Sequence, residues 1–206
     1  LDLARGYAGR SGPRRQGRTF VIAEAGVNHN GDTALAHRLI DAAADCGADA
    51  VKFQTFVPER VASPSAGKAE YQIAQTHATA RGLEFLSTPF DEESAGVLAS
   101  TGMRRLKIAS GEITNWPFLT SVSKLGLPLV VSTGMSTLAE VADAVAVMHA
   151  AGCVDLTLLH CVSMYPAAAE DANLRAMATL AAFFSVPVGW SDHTIGAEVS
   201  FAAVAR

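Results

Sequence analysis

AEAGVNHNGD (23–32) is an apolar run that stops abruptly at polar residues, and six further stretches repeat the pattern: VKFQTF (51–56), FLSTPFD (85–91), LKIASGE (106–112), VVSTGM (130–135), LLHCVSMYP (158–166) and VGWSDHTIG (188–196). Helical patterns follow such runs, which is the signature of βα units with a parallel sheet. The polar residues always come just after the apolar run, so every unit delivers its chemistry to one face of the sheet. In a (β/α)8 barrel that face is the active site. The expected fold is therefore α/β, a (β/α)8 TIM barrel.

Strands are expected at 19–25, 49–54, 83–87, 104–109, 128–132, 154–161 and 186–190, with amphipathic helices between them. Leu35, Leu39, Ala43 and Cys46 share one helical face, as do Leu138, Val141, Val145 and Met148. Thr137 and Asp171 are candidate caps of the fifth and sixth helices. The first 18 residues carry Arg5, Arg10, Arg14, Arg15 and Arg18 with no apolar period, and read as a mobile lead-in to a barrel domain at 19–206. The segment from Val57 to Lys68 contains Pro58, Pro64 and Gly67 and reads as a loop, followed by a short helix around Glu70–Arg81. Seven units are visible and an eighth is not. A barrel must close to avoid open strand edges, so the expectation is a TIM barrel with its eighth βα unit missing from this chain.

With 206 residues, half of them hydrophobic, the chain can bury a substantial core. A net charge of −4 without a basic block argues against nucleic acid as the main partner. Three cysteines, Cys46, Cys153 and Cys161, lack metal-type spacing and no signal peptide is apparent, which predicts a reduced, cytoplasmic protein. The longest apolar stretches are interrupted too early to span a membrane.

Lys52 and Lys107 lie within apolar strands, where an unpaired ammonium is costly. Each needs an anion, either an internal partner such as Glu24 or Glu112, or a bound phosphate or carboxylate. Two lysines on one face favour the ligand. Hydroxyl residues recur beside them: Ser87 and Thr88, Ser110, Ser132 and Thr133, Ser163, and Ser191. Ser or Thr followed by Gly offers hydroxyl and backbone N–H donors to phosphate oxygens. Glu24 and Glu112 are candidate acid or base groups. Asn28, His29 and Asn30 suit a polyhydroxy substrate or an ordinary turn. His193, beside Ser191 and Asp192, is the best metal candidate, with one ring nitrogen free to coordinate while a carboxylate orients the other. His160 is equally a core histidine, and His37, His77 and His149 are expected to face solvent. Tyr165 sits at the mouth of the sixth strand, and Trp116 and Trp190 read as packing residues.

Taken together, AEAGVNHNGD, VKFQT, FLSTPFD, KIASGE, STGM and SDHT resemble the sialic acid synthases, a family that includes N-acetylneuraminate synthase and its legionaminate, pseudaminate and spore-coat polysaccharide relatives. The resemblance runs from about Phe20 to the C-terminus. It implies a transferase of carbohydrate biosynthesis that condenses phosphoenolpyruvate with an N-acylated mannosamine-type sugar, giving a nine-carbon 2-keto acid and phosphate. It also implies a divalent cation, manganese first with magnesium or cobalt as alternatives, and a homodimer. Carried over by position, Lys52, Thr88, Lys107, Ser110, Ser132, Ser163 and Ser191 would bind phosphoenolpyruvate. Glu24, Gln54 and Tyr165 would bind the sugar, Glu24, Glu112 and Tyr165 would serve catalysis, and His193 would be one of two metal-binding histidines. The family's second metal histidine on the eighth strand, part of a loop and helix between Tyr71 and Gly82, and its antifreeze-like C-terminal domain have no counterpart in this sequence. Two competing readings are a noncatalytic anion-binding or scaffold barrel and another phosphoenolpyruvate-condensing aldolase. The second would need a further basic cluster, which is seen only in the lead-in arginines.

Overall fold

The computed structural model describes residues 18–55 and 68–206. The expected lead-in and the expected loop after the second strand lie almost entirely outside them. The chain forms two compact units, one spanning Phe20–Lys107 and the other built on Ile108–Arg206.

The first unit alternates strand and helix: β1 (Ile22–Gly26), α1 (Thr33–Asp45), β2 (Ala50–Thr55), α2 (Lys68–Ala80), β3 (Glu84–Pro89) and α3 (Glu92–Ser100). Its sheet runs β1-β2-β3 with parallel pairing throughout. The register shifts between Glu24 and Gly26. Gly26 there has φ +56°, and an added Cβ would stand 3.2 Å from Glu24 Oε1, so a side chain at this bulge would be strained and would crowd the glutamate. Val51, Leu86, Ile40 and Leu98 are fully buried, each contributing on the order of 1.5–3 kcal/mol by leaving water.

Asp32 caps α1 by accepting from the Ala34 and Leu35 amides, and Asp91 caps α3 by accepting from Ser94. The buried stripe of α1 is Ala36, Ile40 and Ala43, while Cys46 is exposed. Of the expected face Ala43 lies in that stripe, while Leu35 and Leu39 are half-buried on its flank, next to Ala36 and Ile40, consecutive residues standing about 100° apart around the helix. His37 and His77 also depart from expectation. Their rings stack at 4.5 Å, and His77 Nε2 lies 2.9 Å from Asp41 Oδ1, beside an Arg81–Asp45 ion pair. Packing of α1 against α2 leaves both histidines half-buried against each other rather than facing solvent, a tertiary effect that periodicity does not carry.

The second unit continues with β5 (Leu129–Ser132), β6 (Leu156–Cys161) and β7 (Val188–Ser191), in a sheet ordered β4-β5-β6-β7 whose first strand, β4 (Leu106–Ile108), crosses the boundary between units. β6 is parallel to both β5 and β7. The helices are α4 (Trp116–Ser123), α5 (Leu138–Ala150), α6 (Arg175–Phe184) and α7 (Glu198–Val204). Val141, Val145 and Met148 are buried on α5 as the pattern predicts. Leu129, Val131, Leu158 and Leu119 are fully buried within the unit.

Thr137 caps α5 in a complete capping box: its hydroxyl accepts from the Glu140 amide, while Glu140 Oε2 accepts from the Thr137 amide at 2.7 Å. A Thr137→Ala variant should lose about 1 kcal/mol of stability, read as a lower urea midpoint at unchanged slope. Asp171 is not a cap. It ends a 3₁₀ turn (Ala169–Asp171), and α6 begins after Leu174 without a side-chain cap. A cap must lie within a residue or so of the first helical amide, and Asp171 is too early for that.

Candidate active site

Strand parity decides which strand-end side chains can meet. In the first unit Glu24 is in register with Lys52, and Gln54 with Thr88, so these four project from the same face of the sheet. Lys52 Nζ lies 2.5 Å from Glu24 Oε2 and donates to Thr88 Oγ1 at 3.2 Å. The lysine side chain is 11% exposed and the glutamate 49%, so the cation is sunk in the sheet while its carboxylate faces outward. This is the internal ion pair that stands as the alternative to a bound anion for Lys52, and Glu24 remains half open to solvent. Lys107 is equally buried, at 6% exposure.

Ser87 falls on the opposite face, fully buried, with its hydroxyl 2.7 Å from Thr55 Oγ1. It cannot join Thr88 at a ligand. The alternation of side chains along a strand requires this, because consecutive residues point to opposite faces.

In the second unit, Ser132 is in register with Leu159, and Cys161 with Ser191. These project from one face. His160 and Trp190 occupy the other, with ring centroids 5.2 Å apart, and His160 Nε2 bonds the Ala172 carbonyl at 2.8 Å. His160 is thus the satisfied structural histidine of the two alternatives. Glu112 lies in a 3₁₀ turn (Ser110–Glu112) and accepts from Asn115 Nδ2 at 2.7 Å.

Two residues on which sequence reasoning places no role organise this end of the unit: Gly134 and Cys161. The Gly134 amide donates to Ser110 Oγ at 3.0 Å, and Ser110 Oγ is 3.2 Å from Cys161 Sγ. A Cβ on Gly134 would lie 2.3 Å from Ser163 Oγ, 2.7 Å from Cys161 Sγ and 3.1 Å from Ser110 Oγ. The backbone of the STGM turn is therefore clasped by three side chains from two other strand ends. The signal in the sequence is the glycine following a hydroxyl pair at a strand end.

His193 and Tyr165 meet beyond β6 and β7. An Ala167–Thr194 bridge and an Ala167 amide bonded to the His193 carbonyl at 2.8 Å carry the pairing past the strands. The Tyr165 hydroxyl is 3.1 Å from His193 Nε2, with the rings 4.1 Å apart. His193 Nδ1 lies 2.6 Å from the Val162 carbonyl. A carbonyl only accepts, so Nδ1 carries the proton and, in the neutral ring, Nε2 presents its lone pair. The orienting group is thus a backbone carbonyl rather than the expected carboxylate. Asp192 turns away, accepting from the Thr194 amide and hydroxyl and from Ser200 Oγ. The His193 Nε2 lone pair accepts the Tyr165 hydroxyl hydrogen in this structure, so Nε2 would serve a metal as a single ligand in exchange for that bond. Among the described residues no group of three or more His, Cys, Asp or Glu side chains is placed to hold one.

Partial burial opposes ionisation of Asp192, but the hydrogen bonds from Ser200 and Thr194 outweigh it and hold the carboxyl below its ordinary value. Its folded pKa is below the unfolded one, so its contribution to stability is complete above the ordinary carboxylate value of about 3.9 and is lost as pH falls through the lower folded value. Acid unfolding curves of the wild type should steepen below about pH 4, and an Asp192→Asn variant should show a shallower acid limb.

Parallel βα units with basic, acidic and hydroxyl side chains at the strand ends define the class of protein, and the comparisons specify it. The chain belongs to the NeuB family, whose model matches residues 39–81 and 74–206. It is 46% identical to the N,N'-diacetyllegionaminic acid synthase of Legionella pneumophila, over 90% of this chain and 60% of that protein. Among solved structures, an N-acetylneuraminic acid synthetase from Leptospira borgpetersenii superposes with a TM-score of 0.87 at 37% identity, covering 92% of this chain and 70% of that one. The spore coat polysaccharide biosynthesis protein SpsE of Bacillus subtilis gives 0.86 at 36% identity, covering 99% and 60%. The chain spans less than two thirds of the length of the legionaminic acid synthases it matches. No helix among the described residues is long and apolar enough to cross a membrane.

Proposed function

We propose that the protein carrying this chain condenses phosphoenolpyruvate with an N-acylated mannosamine-type sugar, releasing phosphate and a nine-carbon 2-keto sugar acid. The observation that carries the proposal is Lys52, a buried strand-end cation held between Glu24 and Thr88, in a chain 46% identical to a legionaminic acid synthase. That relative's name also favours an acceptor bearing two acetamido groups. The finer architecture belongs to the same proposal: a (β/α)8 barrel, of which this chain supplies seven βα units, acting as a homodimer in the cytoplasm.

In this reading carbon 3 of the enol forms a bond to the aldehyde carbon of the sugar, and the aldehyde oxygen takes a proton. Water adds to carbon 2, and phosphate departs with the bridging oxygen as the carbon–oxygen bond breaks, leaving the 2-keto group. Lys52, Thr88, Lys107, Ser110, Ser132, Ser163 and Ser191 are assigned to phosphoenolpyruvate, whose several negative charges match buried lysines and preorganised donors. Glu24, Gln54 and Tyr165 are assigned to the sugar. Glu24, open to solvent and tethered to Lys52, is the first choice for proton transfer or orienting the water, with Glu112 second and Tyr165 as a neighbouring hydroxyl. A divalent cation, manganese first, would be held by His193 Nε2 together with ligands beyond the described residues, and when bound would polarise the aldehyde oxygen.

The test is to incubate the whole protein with phosphoenolpyruvate, Mn²⁺ and either N-acetylmannosamine or a diacetamido mannose analogue, following phosphate release and keto acid by mass. Stoichiometric phosphate and a nine-carbon acid are expected with one of the sugars; unchanged phosphoenolpyruvate with both would overturn the proposal. Oxygen-18 in the bridging position should emerge in phosphate. A Glu24→Gln variant should lose about two to four orders of magnitude in turnover, and normal turnover would remove Glu24 from the mechanism.

A further inference from the structure

The Gly134 clasp contains a proton inventory that assigns a task to Cys161. Ser110 Oγ has one hydrogen to donate and two lone pairs. The Gly134 amide occupies one lone pair at 3.0 Å. Cys161, only 4% exposed, places Sγ 3.2 Å from the same oxygen. The contact can run in either direction, since a thiol is both a weak donor and a weak acceptor; when the Ser110 hydroxyl gives its hydrogen to an anion, the thiol hydrogen is the one left to fill the second lone pair. In that arrangement Ser110 is a donor only, the state suited to an anionic oxygen and unsuited to a cation or to another donor.

We infer that Cys161 is a positioning residue for anion binding: with Gly134 it locks the Ser110 hydroxyl as an outward donor to a phosphate or carboxylate oxygen. This rests on the assignment of Ser110 to phosphoenolpyruvate and extends it to a side chain that would not itself touch the substrate. Cys161 sits on β6, in register with Ser191 of β7, and it is Gly134 that allows such close packing. The thiol is therefore well placed to act through Ser110 rather than as a nucleophile.

The experiment is a double-mutant cycle on the whole protein, with binding of phosphoenolpyruvate and of inorganic phosphate measured by calorimetry, and KM for each substrate measured separately. Ser110→Ala should weaken phosphoenolpyruvate by about tenfold, as expected for loss of one charge-assisted hydrogen bond. Cys161→Ala should weaken it by roughly fivefold, leave KM for the sugar unchanged, and have no further effect in the Ser110→Ala background. Cys161→Ser, which restores a donor, should recover most of the affinity. Cys161→Val keeps the volume and removes the donor, and it replaces the alanine variant if that one does not fold. Weakening toward both ligands places the bond on phosphate, and weakening toward phosphoenolpyruvate alone places it on the carboxylate; either supports the inference. Additive effects of the two substitutions, or wild-type affinity in Cys161→Ala or Cys161→Val, would overturn it while leaving the synthase reading intact. A wild-type protein that binds neither ligand would overturn both.

Discussion

Replacing Lys52 with methionine is expected to lower kcat/KM for phosphoenolpyruvate by about two to three orders of magnitude, comparable with losing a strong electrostatic contact to developing charge. Stability should change much less than activity. The ammonium is buried while its partner carboxylate, Glu24, is 49% exposed, so methionine removes a desolvated cation and leaves a glutamate that water can solvate. Replacing a buried charge by an apolar group of similar size is often neutral or stabilising when the partner is not stranded. The two measurements separate the ligand role from a structural one. If Lys52 serves only to hold Glu24 and Thr88, thermal stability falls together with activity. If it serves the anion, activity collapses while the melting temperature is kept or raised. Thr88→Val should show the same pattern more weakly, since Thr88 supplies only a neutral contact to the lysine at 3.2 Å.

A Gly134→Ala substitution should be strongly damaging for a single added methyl group. The new carbon would fall 2.3 Å from Ser163 Oγ and 2.7 Å from Cys161 Sγ, well inside contact distance. These side chains are short, so relief requires rotating Ser163 and displacing Cys161, a buried strand residue. Overpacking of this kind costs about 1–3 kcal/mol. Activity should fall further than that strain alone implies, because the same atoms set the Ser110 hydroxyl. We expect turnover reduced by about a hundredfold or more, as for the loss of one preorganised donor, in a protein that still folds with a lower melting temperature. A folded Gly134→Ala protein with normal kinetics would show that the clasp is not part of the site.

Much of the site is legible in the amino-acid sequence, and the reasons are local. Lys52 and Lys107 stand out because a charged residue inside an apolar strand demands an explanation. Thr137 and Glu140 announce a capping box by their three-residue spacing. The opposite faces of Ser87 and Thr88 are also implicit, since adjacent strand residues must diverge. The departures have equally specific causes. His37 and His77 are expected to face solvent because their own helices give no sign that α1 and α2 pack face to face. Asp171 resembles a cap, but a 3₁₀ turn intervenes before α6. A carboxylate is expected to orient His193, yet Thr194 and Ser200 claim the neighbouring Asp192, leaving the Val162 carbonyl to fix the ring.

The α/β class, the order of strands and helices, the polar residues that end each strand, and the family all follow from the order of amino acids. They are written in short-range periodicity, in which two-residue alternation and 3.6-residue repeats need no knowledge of distant contacts. Which of those residues meet is a matter of the folded chain. Glu24 and Lys52 are 28 positions apart, and Ser110 and Cys161 are 51 apart. Their encounters depend on the register between parallel strands, which is set by burial across the whole sheet rather than by any residue in the motifs.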